Sequence, residues 1–348
     1  MLDEPTVGLR DRLAQGPVIC AEGYLFELER RGYLQAGAFV PEVVLEHPEK
    51  VAQLHREFVH AGSDVVEAFT YYAHREKLRI IGKEHLLEQL NRGALDIAKE
   101  VARESSSLLA GDICNTNVFD AGNQVAAGQV REMFTEQVGW AVEAGVDFII
   151  GETFSYAEEA LVALEVIREA GLPSVITLAF HQSPLTREGW SVAEAGKRLA
   201  DAGADVVGLN CIRGPRTMLP LLEELVPAVD VPVAALPVPY RTHPEEPSFQ
   251  SLREPDQPES HRPFPVGLDP FTCTRNEIAD FTVAARALGV AYFGVCCGAG
   301  PHHIRAMAEA LGHTPPASRY TADMSKHAFL GSEGSLREHN LAFGSKEL

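Results

Sequence analysis

The chain has 348 residues, 45% hydrophobic and 23% charged, a globular composition with enough apolar material for a large core. A formal charge of −19 argues against recognition of a phosphate backbone, which needs clustered Lys and Arg, and equally against an anionic membrane surface, so neither nucleic acid nor membrane is expected as a partner. No apolar run approaches the length of a bilayer span and MLDEPTVGLRDRLAQG lacks the apolar core of a secretion signal, so a cytoplasmic protein with reduced thiols is expected.

A first strand is predicted at Val18–Ala21, running into Glu22, Gly23 and Tyr24. The segment PEKVAQLHREFVHAG then has helical spacing and is followed by AGSDVVEAFT at 61–70. Its glycine reads as a helix cap, its apolar run as a buried strand over Asp64–Phe69, and Thr70, Tyr71 and Tyr72 come next. The same phrase returns as AGVDFIIGET at 144–153, AGADVVGLNC at 202–211 and LGVAYFGVCC at 288–297. Further strands are predicted at Ser107–Cys114, Val146–Glu152, Ser174–Phe180, Asp205–Cys211, Val233–Val238 and Ala291–Cys296, with amphipathic helical segments between them. Eight strands alternating with helices predict an α/β fold, a (β/α)8 TIM barrel over residues 1–313, with a doubly wound open sheet as the alternative. The stretch 239–270, rich in Pro, Glu, Ser and His, is expected as a long loop after strand seven, a lid or a disordered insertion. Residues 314–348 lack apolar periodicity and are expected as a C-terminal extension that wraps a neighbour or the barrel's outside.

In such a barrel the reacting groups stand at the C-terminal ends of the strands. That rim collects Glu22, Gly23, Tyr24, Thr70, Tyr72, Asp112, Cys114, Glu152, Thr153, Asn210, Cys211, Cys296 and Cys297. A disulfide within the vicinal pair of FGVCCGAGPHHI would be strained, which makes metal ligation the stronger reading. Strands six and eight end on one rim, so Cys211 joins Cys296 and Cys297 there. Three sulfur ligands predict a catalytic Zn2+ site whose fourth position takes a water or a soft substrate atom such as sulfur. A substrate thiol with a solution pKa of about 8–9 would be deprotonated in that position.

Cysteines at strand ends are also common core filler, and Cys20, Cys114 and Cys273 are read that way. His302 and His303 are expected as surface or cap residues of the last helix. Glu152 ends a buried strand and needs a cationic ligand or neighbour; Asp112 is a weaker case of the same kind. Tyr24, Phe39, Tyr71 and Tyr72 form either a cation–π cage for an onium group or packing contacts.

GLNC at 208–211 together with GVCCGAGPHHIRAMAEAL at 294–311 resembles the zinc-dependent homocysteine S-methyltransferase family. Segment 26–73 looks most like the betaine–homocysteine S-methyltransferases of that family. The resemblance implies a (β/α)8 barrel with Zn2+ on Cys211, Cys296 and Cys297, and methyl transfer from glycine betaine or a related onium donor to the homocysteine thiolate, giving methionine. It implies that Glu152 holds the homocysteine amino group and that Tyr72 belongs to the donor pocket, with Glu22, Gly23, Tyr24, Phe39, Thr70, Thr153 and Asn210 as further substrate contacts. A sulfonium donor such as S-methylmethionine or dimethylsulfoniopropionate, another thiol acceptor, and a weakly active binding or sensor protein are the alternatives. Three departures from the family stand out. Ala21-Glu22-Gly23 replaces Asp-Gly-Gly or Asp-Gly-Ala, a displacement by one residue that is expected to turn the carboxylate elsewhere. Phe39 and Thr153 stand where the betaine enzymes have tryptophan and tyrosine. The third is the absence of most of a long C-terminal arm that supports oligomerisation in the animal enzymes, which leaves a homo-oligomer open.

Overall fold

The computed structural model describes residues 8–255, 257–258, 261–332 and 338–347, so parts of the 239–270 loop and of the 314–348 extension lie outside the described residues. The apolar runs form eight strands: β1 Val18–Ala21, β2 Val65–Glu67, β3 Leu108–Cys114, β4 Phe148–Phe154, β5 Ser174–Leu178, β6 Val206–Asn210, β7 Val233–Leu236 and β8 Val290–Val295. They are parallel and close in chain order, β1 pairing with both β2 and β8, so the fold is the (β/α)8 barrel and not the open sheet.

Successive side chains of a strand point to opposite faces, so every second residue enters the barrel. Val18 and Cys20 of β1, Val65 of β2, Ala110 of β3, Ile150 of β4, Val206 of β6 and Tyr292 of β8 pack in the interior, while Ile19, Val66, Ile149 and Phe293 pack outward beneath the helices. The same two-residue step carried to the strand ends reaches Glu22, Glu67, Asp112, Glu152, Asn210 and Cys296, all buried. Glu22 therefore faces the barrel mouth, and the expectation that it turns elsewhere is overturned: from Val18 and Cys20 the parity of β1 points it inward. Glycine is required one layer below two of these residues. A Cβ at Gly208 would stand 2.2 Å from the Ala234 carbonyl oxygen, and one at Gly294 would stand 2.1 Å from that of Cys20.

The opposite end of the barrel is closed by a helix that sequence patterning did not single out, Leu9–Gln15, whose Leu9 joins the interior cluster. The 239–270 loop is folded down and not a disordered insertion among the described residues. Phe249 and Leu252 are buried, the Phe249 N–H donates to the Ile212 carbonyl at 2.9 Å, and Phe249 stacks on Tyr240 at 5.8 Å. Beyond the barrel, the turn Pro316–Tyr320 packs on helices Pro48–Ala61 and Pro301–Ala310, the barrel's outside. The helix Glu338–Glu347 went unpredicted because its apolar residues, Leu341 and Phe343 among them, are largely exposed and form no stripe. His303 is a cap, but not a surface residue. It is buried, its Nδ1 accepts from the Gly300 N–H at 3.1 Å, and its Nε2 lies 3.0 Å from the Cys273 carbonyl.

Candidate active site

Cys211 follows β6 with left-handed backbone, φ 55°, and Ile212 continues with φ 57°. This double reversal turns the Cys211 side chain across the mouth toward the end of β8, while its N–H donates to the Leu236 carbonyl at 2.9 Å. Cys296 is fixed in the same way by an N–H bond to the Pro237 carbonyl at 2.9 Å. Gly298, φ 96°, lets the chain turn behind Cys297, where a Cβ would meet the Tyr240 hydroxyl at 2.3 Å.

The sulfurs of Cys211, Cys296 and Cys297 lie within 4.8 Å of one another, and those of Cys296 and Cys297 are 3.9 Å apart. A tetrahedral ion with bonds to sulfur of about 2.3 Å holds its ligands about 3.8 Å apart, so the three fit a thiolate metal site and none is in a disulfide. Hydrogen bonds from Cys296 and Cys297 draw Cys211 well below the ordinary thiol range; burial pushes Cys296 up, and donation to Cys211 pushes Cys297 up. One sulfur is thus readily ionised, and a bound cation would displace the protons of the other two.

Beside the sulfurs lies Glu152. Its Oε2 accepts from Asn210 Nδ2 at 2.6 Å and from Thr153 Oγ1 at 2.9 Å. Asn210 Oδ1 in turn accepts from the Thr153 N–H at 2.9 Å, so one amide ties the ends of β4 and β6 together. Glu22 is also in reach of Asn210, at 3.4 Å. Burial, reinforced by the Cys211 thiolate, pushes Glu152 up to about 8, and burial together with Glu152 raises Glu22 well above the carboxylate range. A cation delivered here would return both to their ionised forms.

Above the sulfurs opens a cavity of ≈ 240 Å³ lined by Cys211, Cys297, Thr153, Phe26, Phe39, Tyr71, Tyr72, Phe249 and Phe264, with Asn115, Asn117, His181 and Arg187 also on its wall. Phe39 meets Phe26 edge to face at 5.8 Å, and Tyr71 and Tyr72 lie 4.2 Å apart. Lys77 already covers one face of Tyr72 at 4.0 Å. Of the seven non-glycine residues with left-handed backbone among the described residues, only Ser106 lies elsewhere; Phe39, Tyr72, Asn117, Thr153, Cys211 and Ile212 all line this cavity. Such strain gathers where side chains must be aimed.

Of the sequence candidates, Phe39, Tyr72, Thr153, Cys211 and Cys297 line this cavity, Glu22, Glu152, Asn210 and Cys296 stand beneath it, and Thr70, Tyr24 and Gly23 serve the structure around it. Thr70 donates its hydroxyl to the Asp112 carbonyl at 2.7 Å and supports β3. Tyr24 is buried against His55 at 4.8 Å and Phe58 at 5.4 Å, so its ring serves the packing reading. Gly23 is a close-approach position, since a Cβ there would lie 2.4 Å from the Ala299 carbonyl oxygen. His181, Arg187, Phe249 and Phe264 were missed. They sit on the loops after β5 and β7, where no periodic signal exists, although phenylalanines in a polar stretch could have marked the last two.

A profile of the homocysteine S-methyltransferase family matches residues 19–311. The betaine–homocysteine S-methyltransferase 1 of Xenopus tropicalis is 38% identical over 339 residues, 93% of this chain and 80% of the relative. The S-methylmethionine–homocysteine S-methyltransferase of Rattus norvegicus is 36% identical over 328 residues, covering 92% and 85%. Among solved structures, the metallated form of the Escherichia coli homocysteine methyltransferase MmuM matches in fold with a TM-score of 0.64 at 19% identity, covering 86% of this chain and 99% of that one. With both the barrel and its thiol cluster inside the matched span, the chain belongs to the homocysteine S-methyltransferase family.

Proposed function

We propose that the chain is a zinc-dependent S-methyltransferase that moves a methyl group from glycine betaine to homocysteine, leaving dimethylglycine and methionine. The observation that carries this reading is the joining of Cys211 and Cys297 of the thiol cluster with an aromatic wall in one cavity whose lining, among the described residues, has no Asp or Glu. Cys211, Cys296 and Cys297 would hold Zn2+, whose positive charge would keep the acceptor sulfur deprotonated at neutral pH. Glu152, oriented by Asn210 and Thr153, accepts the acceptor's ammonium. Phe39, Tyr71, Phe249 and Phe264 surround the donor's methyl groups with π faces and exclude water. A sulfur lone pair then forms the S–CH3 bond as the N–CH3 pair leaves with nitrogen, so the donor's cation is neutralised in the transition state. A wall without carboxylates does not hold that cation too tightly in the ground state.

Arg187 and His181 are the basic groups on the wall, which suits a donor with its own carboxylate. Arg187→Ala is expected to raise the betaine KM about 10-fold while leaving that of a donor without a carboxylate, such as trimethylsulfonium, within about 2-fold. Equal changes for both donors would remove Arg187 from donor recognition. The rat relative named for S-methylmethionine keeps a sulfonium donor as the second reading. A donor screen with homocysteine, following methionine, decides between them: betaine at the highest kcat/KM supports the proposal, and S-methylmethionine above it overturns the donor assignment.

The two ends of the transfer also separate by mutation. Phe39→Ala is expected to raise the donor KM about 10-fold, and Glu152→Ala the acceptor KM by about 30-fold, each with little change in the other constant. Unchanged constants in both variants would count against the assignment of roles.

A further inference from the structure

The helix Tyr24–Arg30, which follows β1, leans on the turn that carries the thiol pair. At its start Gly23 lies so close to the Ala299 carbonyl that only glycine permits the approach. At its end Arg30 Nη1 donates to the Gly298 carbonyl at 3.0 Å, immediately after Cys297. The second terminal nitrogen, Nη2, donates to the Tyr240 hydroxyl at 2.9 Å. Tyr240 is buried, and burial pushes its hydroxyl up, so a neutral phenol accepts this bond from a cation. Its ring stacks on Phe249, 9° from parallel, and Phe249 is part of the cavity wall. Phe26, four residues before Arg30 on the same helix, meets Phe249 edge to face at 6.0 Å.

Arg30 also touches both roots of the loop after β7. Tyr240 belongs to the first root, and Asp269, 3.5 Å from Arg30 Nε, to the second. The two roots are zipped together, the Arg241 N–H donating to the Phe271 carbonyl and the Cys273 N–H to the Pro239 carbonyl, each at 2.8 Å. One guanidinium thus joins the loops after β1, β7 and β8 without itself lining the cavity. A planar fork with donors in fixed directions can do this, whereas the single ammonium of lysine cannot. We infer that Arg30 is a positioning residue for methyl transfer, which holds the Cys296–Cys297 turn in register with the aromatic wall at Phe249. The inference rests on the thiol cluster as the acceptor side and the aromatic wall as the donor side, as proposed above. The methyl group passes between those two sides, where a misplacement of about 1 Å can cost about 100-fold in rate.

Arg30→Met keeps an unbranched side chain and removes the fork. In the zinc-loaded full-length protein it is expected to raise the donor KM about 5-fold, lower kcat about 10-fold and release zinc to a chelator at least about 5-fold faster. Tyr240→Phe keeps the stacking ring and cuts only the donor-side branch, so it is expected to raise the donor KM while zinc release stays at the wild-type rate. Because both changes act through one bond, the double variant should show a donor KM no higher than that of Arg30→Met alone. Donor KM effects that multiply in the double variant, or wild-type donor KM and zinc release in Arg30→Met, would overturn the inference. A merely structural Arg30 predicts a lower melting temperature with wild-type constants in the folded fraction. Should Arg30→Met misfold, Arg30→Lys takes its place: loss in either readout supports the fork, and wild-type values in both refute it. Failure of the proposed function is read separately on the wild-type protein, as absent zinc or absent methyl transfer to homocysteine.

Discussion

Cys211→Ser is expected to leave the purified protein with less than about one tenth of an equivalent of zinc and to lower methionine formation at least about 1,000-fold. The magnitude has two sources. At pH 7 a thiol of pKa about 8–9 is roughly 1–10% ionised, so loss of deprotonation alone costs about 10- to 100-fold. The remainder comes from losing the fixed position of the sulfur over the cavity floor, where alignment with the methyl carbon replaces a bimolecular encounter. Cys211 is the most informative choice because it is the most readily ionised of the three and the one carried by two consecutive left-handed residues. Metal analysis beside a turnover assay checks the result. Full zinc occupancy in the variant would sink the ligand assignment, and lost zinc with retained turnover would sink the mechanism.

Asn210→Ala is expected to raise the homocysteine KM by about 30-fold or more while zinc stays bound. Removing the amide takes a 2.6 Å donor from Glu152 and a 2.9 Å acceptor from the Thr153 N–H. Each buried group left unsatisfied costs about 1–3 kcal/mol, and about 2 kcal/mol corresponds to about 30-fold. A purely structural role predicts a lower melting temperature with unchanged acceptor constants, so steady-state kinetics and thermal unfolding together distinguish the two. Asn210→Asp sharpens the test. It keeps an acceptor for the Thr153 N–H but sets another carboxylate against Glu152, and is expected to restore thermal stability without restoring acceptor binding.

Much of this site was legible because a parallel barrel converts sequence position into place. Once strands six and eight were recognised, Cys211, Cys296 and Cys297 had to share a rim, and they do. The parity of β1, counted from Val18 and Cys20, was equally available and would have directed Glu22 inward; the one-residue displacement from the family's aspartate was read instead as a change of face. Glu67 could have been found by the same count along β2. The cap role of His303 was legible, but its burial was not, because a histidine in a first helical turn has no periodic partner to report it. Arg187, His181, Phe249 and Phe264 depend on how the loops after β5 and β7 fold back over the mouth, and that path follows from tertiary contacts such as the Phe249 N–H to Ile212 bond, which no local pattern encodes.

The six left-handed residues around the cavity bear on how this chain could be altered. Each non-glycine residue held in that conformation costs about 1–2 kcal/mol, so the mouth works against the stability of the barrel beneath it. Glycine at Asn117 or Ile212 would relax the backbone and free the side-chain direction in one step. Variants selected only for heat tolerance would therefore gather glycines around the opening and lose turnover as they gain melting temperature. A laboratory lineage bred toward thermal endurance would come to carry a sounder barrel with a blunted mouth.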